Sequence, residues 1–264
     1  MTDDWTKKPV MVVYNPASGD GSGHARALRL GLGLGEPELV VTREPGHARE
    51  AAREWREGLL VVVGGDGTVN EVVDGLGKSG FPEGVVLRLL PVGTGNDLGT
   101  TLRIPKDPKE AGRIIRAARE RTIDVARLRS EEAGERFFVN VAIGGFGARA
   151  SEKASDEALK ERWGKLSYFR GALEVARTFD AVETRLTVDG TEHELRAGNL
   201  VVGNCRYAGG GWPAAPEADP EDGLLDVVIV EDVGLEGLLS LAPRPSSTGA
   251  TCAPRASSSP GERA

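Results

Sequence analysis

The segment GGDGTVNE at residues 64–71 brings glycines, a carboxylate and polar side chains together directly after the apolar run LLVVV at 59–63. Glycine lets the backbone come close to phosphate oxygens because it carries no side chain that would intervene. A carboxylate beside phosphates would repel them unless a cation lies between the two. Asp66 is therefore most simply interpreted as facing Mg²⁺, directly or through water, since Mg²⁺ binds through few carboxylates plus substrate phosphates.

Two further segments resemble this one in composition. NPASGDGSG at 15–23 is called the first loop here, GGDGTVNE the second loop and PVGTGND at 91–97 the third loop. All three offer many backbone N–H groups, and the helix N-termini beyond them carry partial positive charge. Their hydroxyl groups belong to Ser18, Thr68 and Thr94. The asparagines that could orient ribose, phosphate or neighbouring loops are Asn15, Asn70 and Asn96. Together the loops predict a polyphosphate-binding site.

Each feature also has an ordinary structural explanation when it is taken alone. A glycine-rich turn after a strand is most often only a turn, and Asp66 would then be a turn former. Ser18 could cap a helix, and Thr42, at the end of the second apolar run, could be a plain strand residue. The presence of three such loops at successive strand ends favours phosphate binding.

The elements that must position these loops alternate along residues 10–124. Apolar runs with strand character lie at 10–14, 38–42, 59–63 and 85–93. Strands that alternate with helical segments predict βαβ units and a parallel sheet, whose ligands bind at the carboxyl ends of the strands. We therefore assign residues 1–125 to an α/β nucleotide-binding domain.

The pattern changes from about residue 125 onwards. The stretch ETRLTVDGTEHELRAGNLVVGN alternates around Asp189-Gly190, which is a strong hairpin signal. We assign 126–242 to a second domain that is β-rich and antiparallel. Residues 243–264 contain no Val, Ile, Leu, Met or aromatic residue. They cannot bury enough apolar surface to offset their ordering entropy, so we expect a disordered tail.

Composition limits the function further. The formal net charge of −7 argues against nonspecific nucleic-acid binding, which needs a basic surface. The apolar runs are far shorter than the ~20 residues needed to span a bilayer, and MTDDWTKKP at the start lacks the apolar core of a signal peptide. We therefore expect a cytoplasmic protein.

With these motifs the sequence resembles the diacylglycerol kinase catalytic-domain family, in its bacterial lipid kinase branch, which is related to sphingosine and ceramide kinases. GGDGT alone is shared with NAD kinases and phosphofructokinases, whereas the full combination is highly specific. The matching motifs keep the family's order over about 10–240: NPASG (15–19), GGDGTVNEVV (64–73), PVGTGNDLG (91–99), FFVNVAIGGFGA (137–148) and GNCRYAGGGWPAAPEADPEDGLLDVVIV (203–230).

The resemblance implies an α/β nucleotide-binding domain followed by a β-rich, sandwich-like domain. It also implies a kinase that transfers the γ-phosphoryl group of ATP to a lipid hydroxyl, diacylglycerol-like or sphingoid. Asp66 would be the catalytic residue. ATP would be held by Asn15, Pro16, Ala17, Ser18, Gly19, Thr42, Gly65, Asp66, Gly67, Thr68, Val69, Asn70, Glu71 and Thr94. Mg²⁺ would be bound by Asp219, Asp222 and the backbone carbonyl of Leu224. From the residues alone, acids around a glycine at 217–226 could supply oxygens to a cation, or they could form an acidic hairpin turn.

The match to the family ends after LEGLLSLA at 235–242. The family continues to an Asp-Gly-Glu motif whose Glu is the proposed proton acceptor, and no Asp-Gly-Glu follows residue 242 here. We therefore expect a truncated or frameshifted member that lacks this base and has impaired activity.

Two alternatives stay open: a noncatalytic remnant that binds nucleotide, and an NAD kinase-like small-molecule kinase. The expected partners are ATP and a lipid substrate reached peripherally and transiently at a membrane surface, without nucleic acid. A homodimer is also compatible with the sequence. The segment 159–179 carries Trp163, Tyr168 and Phe169 among basic residues. It is the best candidate in the chain for membrane contact, although ordinary packing is the favoured explanation.

Overall fold

A computed structural model describes residues 8–19, 37–116, 120–131, 134–145, 181–231 and 256–257. The chain divides into two compact units between Val139 and Asn140, and the domain boundary predicted at 125 stays a prediction. The candidate membrane segment 159–179 lies outside the described residues. So does the tail 243–264, except for the two-residue strand Ala256–Ser257.

The first unit is built on a four-stranded parallel sheet in the order β2–β1–β3–β4. Its strands are β1 (Val10–Tyr14), β2 (Glu38–Val41), β3 (Glu57–Gly64) and β4 (Gly84–Pro91). The central strands β1 and β3 are buried almost throughout, as expected where a parallel sheet is covered on both faces. The parallel sheet predicted from the apolar runs is confirmed.

Four described helices accompany this sheet: α1 (His47–Glu54), α2 (Asp66–Lys78), α3 (Asp97–Thr101) and α4 (Pro108–Arg116). Alternate residues of β1 and β3 face one side, where Leu90 of β4 joins them and Ala111 and Ile115 of α4 complete a buried cluster. Ala111 and Ile115 are four positions apart and therefore lie on the same face of α4. This packing fixes the strands whose carboxyl ends carry the glycine-rich loops.

Helix α2 makes close backbone contacts on two sides. A Cβ added at Gly75 would overlap the carbonyl oxygen of Arg49 in α1, and a Cβ added at Gly77 would overlap the ring of Phe137. Phe137 belongs to the antiparallel hairpin of β5 (Ala126–Ser130) and β6 (Gly134–Phe138). The two glycines therefore let α1 and β6 both pack directly against α2.

A buried carboxylate joins the same three elements. Asp74 of α2 has a side chain that is 4% exposed, and its Oδ1 accepts the N–H of Phe137 at 3.0 Å. The basic groups near its Oδ2 are Arg49 Nε at 2.6 Å, Arg136 Nη1 at 3.4 Å and Lys78 Nζ at 3.5 Å. The charge of Asp74 is thus compensated from α1, α2 and β6, as a buried ion requires.

The second unit is antiparallel, as the sequence predicted. Its five-stranded sheet has the order β13–β12–β9–β7, and β8 pairs with β9. The strands of this unit are β7 (Val141–Gly145), β8 (Val182–Val188), β9 (Thr191–Gly203), β10 (Tyr207–Ala208), β11 (Trp212–Pro213), β12 (Leu224–Glu231) and β13 (Ala256–Ser257). Asp189 and Gly190 connect β8 to β9 with φ of +47° and +80°. Positive φ at both central residues is the geometry that made Asp-Gly a hairpin signal.

Across the part of the chain that the structure describes, no helix has both the length and the apolar character that a membrane span requires.

Substitution of Gly75 by alanine tests the close contact between α1 and α2. Because the new methyl group would overlap the Arg49 carbonyl, the helices must move apart, and we expect the free energy of unfolding to fall by about 1–3 kcal/mol. Gly67→Ala in the same helix is the matched control, since nothing lies within 4 Å of its added Cβ and alanine has the higher helix propensity. Urea denaturation of both variants measures the difference. If Gly75→Ala were as stable as Gly67→Ala, the packing would be contradicted.

Candidate functional site

The second loop, residues 64–71, begins at the last residue of β3 and continues into the second turn of α2. β3 ends at Gly64, and Gly65 is the N-cap of α2. Gly65 has no side chain that could accept the N–H groups of the first helical turn, which have no intrahelical partners. These donors, together with the positive end of the helix dipole, create a local preference for an anion at the carboxyl edge of the sheet.

The second and third loops touch through their backbones. The N–H of Val92 donates to the carbonyl of Gly64 at 3.1 Å. A Cβ at Gly93 would overlap the Cα of Gly65, so this approach is open only to glycine. The first loop, described over 15–19, reaches the same place: Gly19 has φ of +72°, and a Cβ there would overlap the carbonyl oxygen of Val92. The structure therefore brings the three loops together, with Thr94 exposed on the third.

Asn15 ties the first loop to the second. Its backbone N–H donates to Val63 at 3.1 Å, and its Nδ2 donates to the hydroxyl of Thr68 at 3.0 Å. Its Oδ1 accepts the N–H of Ala17 at 2.9 Å, which shapes the turn that holds Pro16 and Ala17 at the surface. Thr68 is only 5% exposed. The asparagine expected to orient a ligand or a neighbouring loop thus orients a loop.

Asp66 ties the second loop to α3. Its Oδ1 accepts the N–H of Leu98, in the first turn of α3, at 3.1 Å. The N-cap of α3, Asn96, adopts φ of +58° and uses its side chain on its own loop: its Oδ1 accepts the N–H of Gly93, and its Nδ2 donates to the Gly93 carbonyl. Asp66 therefore supplies an acceptor at the start of α3 that the cap residue does not. The expected role of Asp66 in facing Mg²⁺ stays a prediction.

Asn70 and Glu71, both expected to bind nucleotide, direct their side chains to protein backbone. Asn70 Oδ1 accepts the N–H of Val139 at 3.3 Å, and Glu71 Oε1 accepts the N–H of Gly46 at 2.9 Å. Val69 is buried in the core, so its side chain takes no part in the site. Nucleotide binding by these three residues stays a prediction.

One local signal could have pointed to the contact of Asn70. Asn70 and Asp74 are four residues apart and share a face of α2, and they accept the N–H groups of Val139 and Phe137, which are two residues apart. Alternate residues of a strand present their N–H groups to the same side. Two polar acceptors spaced four residues apart on a helix can therefore accept two N–H groups spaced two residues apart on a strand.

Thr42 lies one residue beyond β2. Its N–H donates to the carbonyl of Tyr14 at 2.8 Å, so it extends the β1–β2 ladder, and the residue is 8% exposed. Because Tyr14 immediately precedes Asn15, Thr42 is held near the start of the first loop. Its expected contact with nucleotide stays a prediction.

The predicted metal ligands share one turn of the second unit. Asp219 Oδ1 accepts the N–H of Glu221 at 3.2 Å, and Asp222 Oδ1 accepts the N–H of Leu224 at 2.9 Å. Both aspartates are exposed. Among the residues that the structure describes, no group of three or more His, Cys, Asp and Glu side chains is placed to hold a metal. Binding of Mg²⁺ by Asp219, Asp222 and the Leu224 carbonyl stays a prediction.

Arg88 on β4 is a buried charge outside these loops. Burial lowers the pKa of its guanidinium group, and Glu120, whose Oε1 lies 3.7 Å from Nη2, opposes this by raising it. Because an arginine stays protonated in proteins, Arg88 places a permanent positive charge on β4 in the protein interior.

Comparison with known proteins places the chain in a family. Residues 9–128 match the diacylglycerol kinase catalytic domain, and residues 140–255 match the YegS C-terminal NAD kinase beta sandwich-like domain. A Mycobacterium tuberculosis protein named diacylglycerol kinase is 31% identical over 245 residues, which cover 89% of this chain and 77% of that protein. The chain belongs to the diacylglycerol kinase family, and the resemblance seen in its motifs is confirmed.

Further relatives agree with this assignment. A Chromohalobacter salexigens protein named "Probable lipid kinase YegS-like" is 36% identical over 193 residues, which cover 72% of this chain but 60% of the relative. A crystal structure of a diacylglycerol kinase from Bacillus anthracis superposes with a TM-score of 0.70 at 28% identity, covering 88% of this chain and 77% of that one. The α/β unit followed by a β-rich, sandwich-like unit is the fold predicted from the sequence.

Substitution of Asp66 tests its contact with α3. We expect Asp66→Ala to lower the free energy of unfolding by about 1–2 kcal/mol, because the Leu98 N–H loses an acceptor at a helix start. Asp66→Asn should lose clearly less, since the amide oxygen can accept the same bond. Thermal and urea unfolding measure both variants. An Asp66→Ala variant as stable as the natural protein would show that the contact does not stabilise α3.

Proposed function

We propose that the protein is an ATP-dependent lipid kinase, which transfers the γ-phosphoryl group of ATP to a lipid hydroxyl. The observation that carries the proposal is the meeting of three glycine-rich loops at the carboxyl edge of a parallel sheet, in a chain that belongs to the diacylglycerol kinase family. Positioning and neutralisation of charge supply most of the catalysis of phosphoryl transfer, and backbone N–H groups in fixed loops can supply both.

In this proposal the triphosphate lies against the first turn of α2. The N–H groups of Gly65, Asp66, Gly67 and Thr68 face the anion, and the first loop with Ser18 and the third loop with Thr94 close around it. Glycine at Gly65 and Gly93 keeps the space between the second and third loops free of side chains. Donors fixed in this way need no reorganisation when charge develops on the transferring group.

Two carboxylate-bearing segments carry further proposed roles. Asp66, held at one oxygen by Leu98, is the candidate catalytic residue. Asp219, Asp222 and the Leu224 carbonyl are the candidate ligands of Mg²⁺, which would neutralise phosphate charge when bound. Support for this assignment comes from the turn that Asp219 and Asp222 share, in which each carboxylate accepts one backbone N–H through Oδ1.

The lipid acceptor is proposed to be diacylglycerol-like, with a sphingoid base as the second choice. Support comes from the relatives in Mycobacterium tuberculosis and Bacillus anthracis, which are named diacylglycerol kinases. Peripheral, transient membrane contact, a cytoplasmic location and a homodimer stay predictions from the sequence. An NAD kinase-like activity is the competing possibility that a direct assay separates.

The test is phosphate transfer by the purified full chain. With radiolabelled ATP and Mg²⁺, we expect label in lipid when vesicles contain dioleoylglycerol or a mixed lipid extract, and none in NAD⁺. Asp66→Asn should lower the rate by about 100-fold, the order of magnitude for loss of one electrostatic contact in a transition state, because the amide lacks the charge that would face Mg²⁺. This variant retains an acceptor for the Leu98 N–H, so its lower rate of phosphate transfer would report a loss of chemistry rather than a loss of folding.

Glu83→Ala is the matched control for the loss of an acidic residue, because Glu83 is exposed and immediately precedes β4, at the opposite edge of the sheet from the loops. Its rate should equal that of the natural protein. Label in NAD⁺ but not in lipid would replace the lipid kinase with the competing activity. Nucleotide binding without any labelled product would leave a noncatalytic binding protein.

A further inference from the structure

Glu71 of the second loop contacts the loop that precedes α1, which has no glycine-rich motif. It lies on the second turn of α2, and its Oε1 accepts the N–H of Gly46 at 2.9 Å. Gly46 is the N-cap of α1 and adopts φ of +90°. Because Gly46 has no side chain, it makes no side-chain cap for α1. The side chain of Glu71, which is far away in sequence, accepts the Gly46 N–H at this position.

The segment held by Glu71 begins at Thr42. At one end of residues 42–46, the N–H of Thr42 donates to the Tyr14 carbonyl at 2.8 Å. At the other end, Gly46 is held by Glu71. Between them the N–H of Arg43 donates to Nδ1 of His47 at 3.3 Å, which closes the turn on itself. The position of Thr42 relative to α2 therefore depends on two anchors, one on β1 and one on Glu71.

The direction of the carboxylate also has an electrostatic reason. A carboxylate pointed at a triphosphate would repel it, and the two acids of the second loop each accept a backbone N–H from a different neighbouring element. Asp66 accepts from α3, and Glu71 accepts from the start of α1. A hydrogen bond of this kind requires an acceptor oxygen and does not require a negative charge.

We propose that Glu71 is a positioning residue that sets residues 42–46, and with them Thr42, relative to α2, and that it does not itself contact the nucleotide. The inference rests on the proposed function, because Thr42 matters only if the site binds ATP. It replaces a direct role of Glu71 in binding with a role exerted through Gly46.

The first measurement needs no ligand. In hydrogen–deuterium exchange of the nucleotide-free full chain, Glu71→Ala should speed exchange of the Gly46 amide by about tenfold, the equivalent of one lost hydrogen bond. Glu71→Gln should stay within about threefold of the natural protein, because its amide oxygen can accept the same bond. Unchanged exchange in Glu71→Ala would overturn the proposal.

The second measurement is calorimetric titration with ATP. Glu71→Ala should raise the Kd by about tenfold, and Glu71→Gln by less than about threefold. An equal loss in both variants would overturn the proposal in favour of a direct contact through charge. Ile115→Val, a core substitution in α4 of the same unit, controls for stability alone: it lowers stability and should leave the Kd unchanged.

A double-mutant cycle with Thr42→Val identifies the route of the effect. If Glu71 acts through the segment that carries Thr42, the two substitutions together should raise the Kd by clearly less than the product of their separate effects. Fully multiplicative effects would overturn the proposal. Failure of the natural protein to bind ATP would instead defeat the proposed function, and the exchange measurement would still decide whether Glu71 holds Gly46.

Discussion

The approach of Gly65 to Gly93 is the contact on which the candidate site depends. A methyl group on Gly93 would overlap the Cα of Gly65, and one on Gly19 would overlap the carbonyl of Val92. Three strand ends can therefore converge only because side chains are missing where their loops meet. The first turn of α2 follows Gly65 directly, and the proposal that phosphate binds here in a chain whose net charge is −7 rests on the backbone N–H groups of that turn.

The polar residues of GGDGTVNE connect this backbone contact to its surroundings. Thr68 accepts from the first loop, Asp66 accepts from α3, and Glu71 accepts from the start of α1. Each of these bonds spans many residues of sequence, so one short segment fixes the relative positions of the loops around it. The carboxylate of Asp66 therefore has a structural reason to stand among glycines, because it accepts the Leu98 N–H at the start of α3. This reason does not require that Asp66 face a ligand.

Much of this could be predicted from the sequence, and the limit has a physical cause. The runs VMVVY and LLVVV become buried parallel strands, and Asp189-Gly190 becomes a hairpin turn, because period and turn chemistry are local properties. The meeting of the loops also follows, since parallel strands end at one edge. The partners of Asp66 and Glu71 do not follow, because Leu98 and Gly46 are brought near only by the folded arrangement of the helices. Such backbone donors have no signature in residue type.

Calorimetric titration of ATP into the natural protein and into Gly93→Ala tests the central claim most directly. If the amide-lined surface formed by the meeting of Gly65 and Gly93 binds the triphosphate, the natural protein takes up ATP, and Gly93→Ala binds it at least ~10-fold more weakly because the two loops are forced apart. Equal affinity of the two proteins for ATP, or no uptake by the natural protein at millimolar ATP, would contradict the claim.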